Sequence, residues 1–112
     1  MNNIKSFHKK YTNKECLILC CGPSLTEYTQ KQIESFAKDK IVICVKEAVL
    51  KYHNICDFFV FNRFRVRNFE VNDKNIFSIF QGNYNDNTGG NKIDLRIPYD
   101  KDFKKKCLLV NK

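Results

Sequence analysis

CLILCCGPSLTEY, residues 16–28, is the stretch on which the fold turns. Its first six residues carry no charge and have the length of one strand, the pattern of a strand covered on both faces; a central parallel strand is therefore expected. Gly22 allows a tight exit from that strand, Pro23 stiffens it, and Ser24 with Glu27 three residues later has the spacing of a capping box. A helix should follow to about Asp39, with Leu25, Tyr28, Ile33, Phe36 and Ala37 on one side. Glu27, Lys31, Glu34 and Lys38 then face water.

Outward from this unit the pattern repeats. IVICV at 41–45 is a second buried strand rich in β-branched residues, KEAVLKYH at 46–53 a short helix, and CDFFVF at 56–61 a third strand. Strand, helix, strand, short helix, strand is the cadence of an α/β domain with right-handed crossovers. Residues 75–80 give a fourth strand, and 82–91, dominated by Asn, Gly and Asp, read as an exposed loop. Residues 93–97 alternate apolar with charged, as an edge strand does, and Pro98 ends it. Residues 107–110 suggest a last strand near the end of the sequence, hence a domain cut short or one completed by another chain.

The chain has 112 residues, 43% of them hydrophobic, enough for one globular core. Residues 1–14, with Lys5, Lys9, Lys10 and Lys14, form a basic lead-in; residues 15–112 form a single domain. There is no apolar stretch of the ~20 residues that a membrane helix needs and no hydrophobic signal core, so a cytoplasmic location without a membrane span is expected. The six cysteines lie in apolar runs without C-x-x-C or Cys/His spacing, which predicts reduced core thiols and no metal site. A redox role for Cys20 and Cys21 is disfavoured because adjacent strand residues point to opposite faces. No cofactor is expected. The formal charge of +8, from 20 basic against 12 acidic residues, favours anionic partners without choosing among nucleotide, nucleic acid and acidic membrane.

The Gly22-Pro23-Ser24 break is fully explained as a strand-to-helix turn, yet the same geometry can hold an anion. In open parallel sheets, ligands bind beyond the carboxyl ends of strands, where backbone amides and a helix amino end converge. LCCGPSL, IVICVKEAV and CDFFVFN resemble the amino-terminal half of the glycosyltransferase family 42 sialyltransferases and the related domain of motility accessory factors and archaeal pterin diphosphokinase. This resemblance, over about residues 15–62, implies a Rossmann-like three-layer fold with a mostly parallel central sheet, as the amino-terminal half of a larger glycosyltransferase-like fold. It also implies a site for a cytidine- or uridine-type nucleotide or nucleotide-sugar. Cys21, Gly22, Pro23 and Ser24 would lie near its phosphate or ribose, with Lys46 and Asn62 at the ends of the second and third strands.

Two departures stand out: Cys21 occupies a position that is polar in the family, and Lys46 one that is Asn. The sialyltransferase general-base His belongs to a second half beyond this length, and neither His8 nor His53 matches it. Transferase activity is therefore expected only as part of a longer chain, and these residues alone make a donor-binding module.

NRFRVRNFEV, residues 62–71, alternates Arg63, Arg65 and Arg67 with Phe64, Val66 and Phe69. The row suits a solvent-facing strand edge. It equally suits single-stranded nucleic acid, by phosphate pairing and stacking, or neutralisation of the nucleotide's phosphates by Arg63 and Arg65. The alternatives to a nucleotide module are thus a basic nucleic-acid binding module, or a non-catalytic interaction protein that keeps the fold and forms a homo-oligomer.

Overall fold

The computed structural model describes residues 7, 9–62, 69–83 and 85–98. Among these residues five strands form one parallel sheet: β1 (Cys16–Leu19), β2 (Ile41–Val45), β3 (Phe58–Asn62), β4 (Phe77–Gln81) and β5 (Leu95–Ile97). Their order is β1-β2-β3-β4-β5. This is an α/β, Rossmann-like sheet whose strands follow the chain without reversal. Two α-helices, α1 (Gln30–Phe36) and α2 (Ala48–Tyr52), pack on a single face, as crossovers of one hand require in that order.

Period-two alternation sorts the strand residues. Leu19, Val42, Cys44, Phe59, Phe61 and Phe80 face the helices and bury with Ile33, Ala37, Ala48, Val49 and Tyr52. The Phe59 and Phe61 rings stack at 4.5 Å. On the far face, Phe7 and Tyr11 of the lead-in close over Phe58 and Phe77, with ring centroids 4.9–6.1 Å apart. Among the described residues this aromatic cover lies over the amino ends of β3 and β4. Ile43, Val45, Val60, Ile79 and Leu95 on the same face are half-buried, and Ile18 is 58% exposed.

Two expectations require correction. β1 is an edge strand, not a central one: among the described residues nothing pairs on its outer side, and Cys16 and Ile18 are exposed. An uncharged run shows that a strand lacks charge, not that it has two neighbours. The capping box is also displaced. Residues 23–27 form a 3-10 turn, Pro23–Glu27, with no side-chain cap, and Leu25 N–H donates to the Gly22 carbonyl. Ser24 thus lies inside the turn. The α-helix starts later, where Thr29 Oγ1 accepts from Gln32 N at 3.1 Å and Gln32 Oε1 accepts from Thr29 N at 2.8 Å.

Strand entry is set by one device used twice. Asp57 N donates to the Val42 carbonyl at 2.9 Å while its Oδ2 accepts from Val42 N at 2.8 Å. Asp94 does the same to Ser78, with the same two distances. Each aspartate stands just before its strand and clasps one residue of the neighbour. The expected edge strand near 93–97 is β5, and the expected loop 82–91 carries no helix or strand among its described residues. The last strand predicted at 107–110 lies outside the described residues.

Candidate functional site

Glycine at position 22 leaves real space. Its backbone is extended (φ −81°, ψ 163°), and an added Cβ would meet only Ser24 Oγ, 4.0 Å away. Beside it a cleft of about 210 Å³ opens between the Gly22 turn and α2, lined by Cys21, Gly22, Leu25, Thr26, Glu47, Ala48, Lys51 and Tyr52. The four α2-side positions, 47, 48, 51 and 52, recur at helical spacing and so share one face. That face sets a carboxylate, an ammonium and an aromatic ring opposite exposed main chain. The Lys51 Nζ lies 5.8 Å from the Tyr52 ring centroid, and the buried Tyr52 hydroxyl has no hydrogen-bond partner among the described residues.

The predicted site residues separate into three groups. Cys21 and Gly22 line the cleft; Pro23 and Ser24 are exposed on the adjoining turn. Lys46 and Asn62 occupy the carboxyl ends of β2 and β3 and do not line the cleft, although Lys46 directly precedes the lining residue Glu47. Lys46 is exposed in the left-handed region at φ 52°, and its N–H donates to the Val60 carbonyl at 2.9 Å. Asn62 is half-buried and pairs in register with Gln81. Arg63 and Arg65 lie outside the described residues, as does His8. Because strand order does not reverse among the described strands, the sheet offers no switch-point crevice there. The opening lies instead between two successive crossover connections.

Glu47, Lys51 and Tyr52 were not singled out from sequence. Their signal was the spacing itself, once α2 is known to turn that side toward Gly22. His53, weighed and set aside as a catalyst, lines a separate open groove of about 680 Å³ with Val49, Glu70, Val71, Asp73 and Lys74. Its Nδ1 is 3.4 Å from the Leu50 carbonyl oxygen.

The thiols also divide. Cys16, Cys20 and Cys21 are exposed, contrary to the expectation of core thiols, whereas Cys44 and Cys56 are buried. Cys56 Sγ donates to the Phe58 carbonyl at 3.1 Å. The neighbouring Cys56 thiol, together with burial, pushes the Cys44 thiol upward from its usual range.

Among the described residues no cluster of His, Cys, Asp or Glu has the makings of a metal site, and no helix is long and apolar enough to cross a membrane. No protein-family model, curated protein or solved structure matches this chain, so the chemistry of the cleft rests on its own residues.

Proposed function

We propose that the chain is a nucleotide or nucleotide-sugar binding module, resembling the donor-binding half of a glycosyltransferase and not catalytic by itself. The observation that carries this reading is the open cleft at the Gly22 turn, where the main chain is exposed and no side chain fills the space a Cβ would take. A carboxylate such as Glu47 suits a ribose diol, and an ammonium such as Lys51 suits a phosphate. The volume falls below the ~300 Å³ at which pockets for drug-sized ligands begin. The cleft therefore takes the sugar or phosphate portion, and the base extends toward the carboxyl ends of β2 and β3.

Calorimetric titration with cytidine and uridine monophosphates tests this. Saturable binding is expected, and Gly22→Val should abolish it by placing a branched side chain at the cleft wall. Because Gly22 has a backbone conformation open to any residue, that variant should remain folded, as circular dichroism can check. Absence of heat at millimolar nucleotide would sink the proposal.

A further inference from the structure

Helix α1 ends at Phe36 and β2 begins at Ile41, so the turn between them lies at the amino end of the sheet, opposite to the Gly22 turn that follows the carboxyl end of β1. A shallow groove of about 590 Å³ opens there, lined by Lys31, Gln32, Ser35, Phe36, Lys38 and Lys40. It gathers three ammonium groups and no carboxylate. Glu34 sits on the other flank of α1, where Gln30 Nε2 donates to its carboxylate at 3.2 Å and to the Lys51 carbonyl at 3.3 Å. The acidic neighbours are Asp39 in the turn and Glu15, whose carbonyl accepts from Ile41 N at 3.0 Å; Lys14 beside Glu15 keeps the surroundings basic. Phe36 adds an aromatic wall. Its ring is 60% exposed and stacks on no other ring among the described residues. Lys40 holds it in place, with Nζ 4.3 Å from the ring centroid and donating to the Phe36 carbonyl at 2.8 Å.

We infer that this groove binds single-stranded nucleic acid, at a site separate from the Gly22 cleft. Charge and shape together select the occupant. A chain of formal charge +8 favours an anionic partner, and the groove concentrates that charge on facing walls. Lysine is a point charge without the planar fork of arginine, so it pairs with phosphates and does not select a base. An exposed phenyl ring among such lysines offers a stacking platform, which any base can use because every base has a π-face. In a duplex the bases are stacked on one another and leave no face for Phe36. An acidic membrane would meet the same charge, but entry into a bilayer needs a broad apolar face, and the apolar side of α1, Ile33 with Ala37 at its cap, is buried on the sheet.

Fluorescence anisotropy of a labelled oligothymidylate of about ten nucleotides, titrated with the full chain over a series of salt concentrations, tests the site. The wild-type chain should bind, more weakly as salt rises. Each phosphate contact contributes about −0.7 to the slope of log K against log salt, so Lys31→Gln combined with Lys38→Gln should make that slope shallower by about 1.4. Phe36→Ala should weaken binding about tenfold and leave the slope unchanged. All three side chains are exposed, so these variants should keep the wild-type circular dichroism spectrum. Should Phe36→Ala lose it, Phe36→Leu, which keeps apolar bulk and removes the ring, decides in its place. No binding at low salt overturns the inference. So does a double lysine variant with the wild-type slope, a ring-less variant as tight as wild type, or equal affinity for the same oligothymidylate annealed to oligoadenylate. Cosedimentation with phosphatidylserine vesicles by a chain that ignores the oligonucleotide would assign the groove to a membrane and overturn it as well.

Discussion

Residues 15–62 and residues 69–98 are held together by different means. In the first region two helices lay Ile33, Ala37, Ala48, Val49 and Tyr52 on the sheet, and side-chain hydrogen bonds are mostly local. In the second, no helix is found among the described residues, and polar side chains do the holding. Asn91, 7% exposed, accepts from Val71 N at 2.6 Å and donates to the Phe69 and Thr88 carbonyls at 2.7 and 2.9 Å. Lys92 Nζ reaches the Ile76 carbonyl at 2.7 Å and the Asp94 carboxylate at 2.5 Å, and Arg96 reaches the Asn83 carbonyl at 2.9 Å. Where a crossover lacks a helix, its main-chain groups still need partners, and long-range side chains supply them.

The contrast can be broken from either side. Phe59→Ala removes a fully buried ring that stacks on Phe61 beneath the helical layer, and should cost about 3–5 kcal/mol, measured from urea unfolding midpoints. Asn91→Ala takes the side-chain partner from the Val71 amide and the Phe69 carbonyl, while the Thr88 carbonyl keeps the backbone N–H of residue 91, and a loss of about 2–3 kcal/mol is expected. Asn91→Asp sharpens that result: it keeps the acceptor for Val71 but sets a buried carboxylate oxygen against the Phe69 and Thr88 carbonyls, so at neutral pH it should be at least as destabilising as alanine. The smallest effect has the opposite sign. Lys46→Gly relieves a left-handed backbone at the exit of β2 and should stabilise by up to about 1 kcal/mol, less whatever the freer unfolded chain takes back.

Legibility in the sequence followed the same division. β2 was readable to the residue because its β-branched run is flanked by Lys40 and Lys46, and the order of elements through β3 followed from periodicity alone. The sheet position of β1 was not, since hydrophobicity reports the environment of side chains and says nothing of which backbone edges are paired. Two capping-box patterns, Ser24 with Glu27 and Thr29 with Gln32, compete within a dozen residues, and only the folded turn at Pro23 decides between them. Cys21 and Gly22 could be placed at a cleft from the strand-turn pattern. The opposing wall of Glu47, Lys51 and Tyr52 depends on how α2 is rotated, which no local pattern encodes. Asn91 escaped notice for a related reason: two of its partners, Phe69 and Val71, lie 22 and 20 residues away.

The aspartates at 57 and 94 have a consequence for how this chain tolerates changes in length. Each carboxylate grips one amide of the adjacent strand, so it acts as an index pin for the strand that follows it. One residue inserted between Asp57 and Phe58 would turn Phe59 and Phe61 outward, because a strand exchanges its faces with every single-residue step. Insertions upstream of the pin leave that parity untouched. Drift in loop length should therefore accumulate before these aspartates and be excluded in the few residues after them.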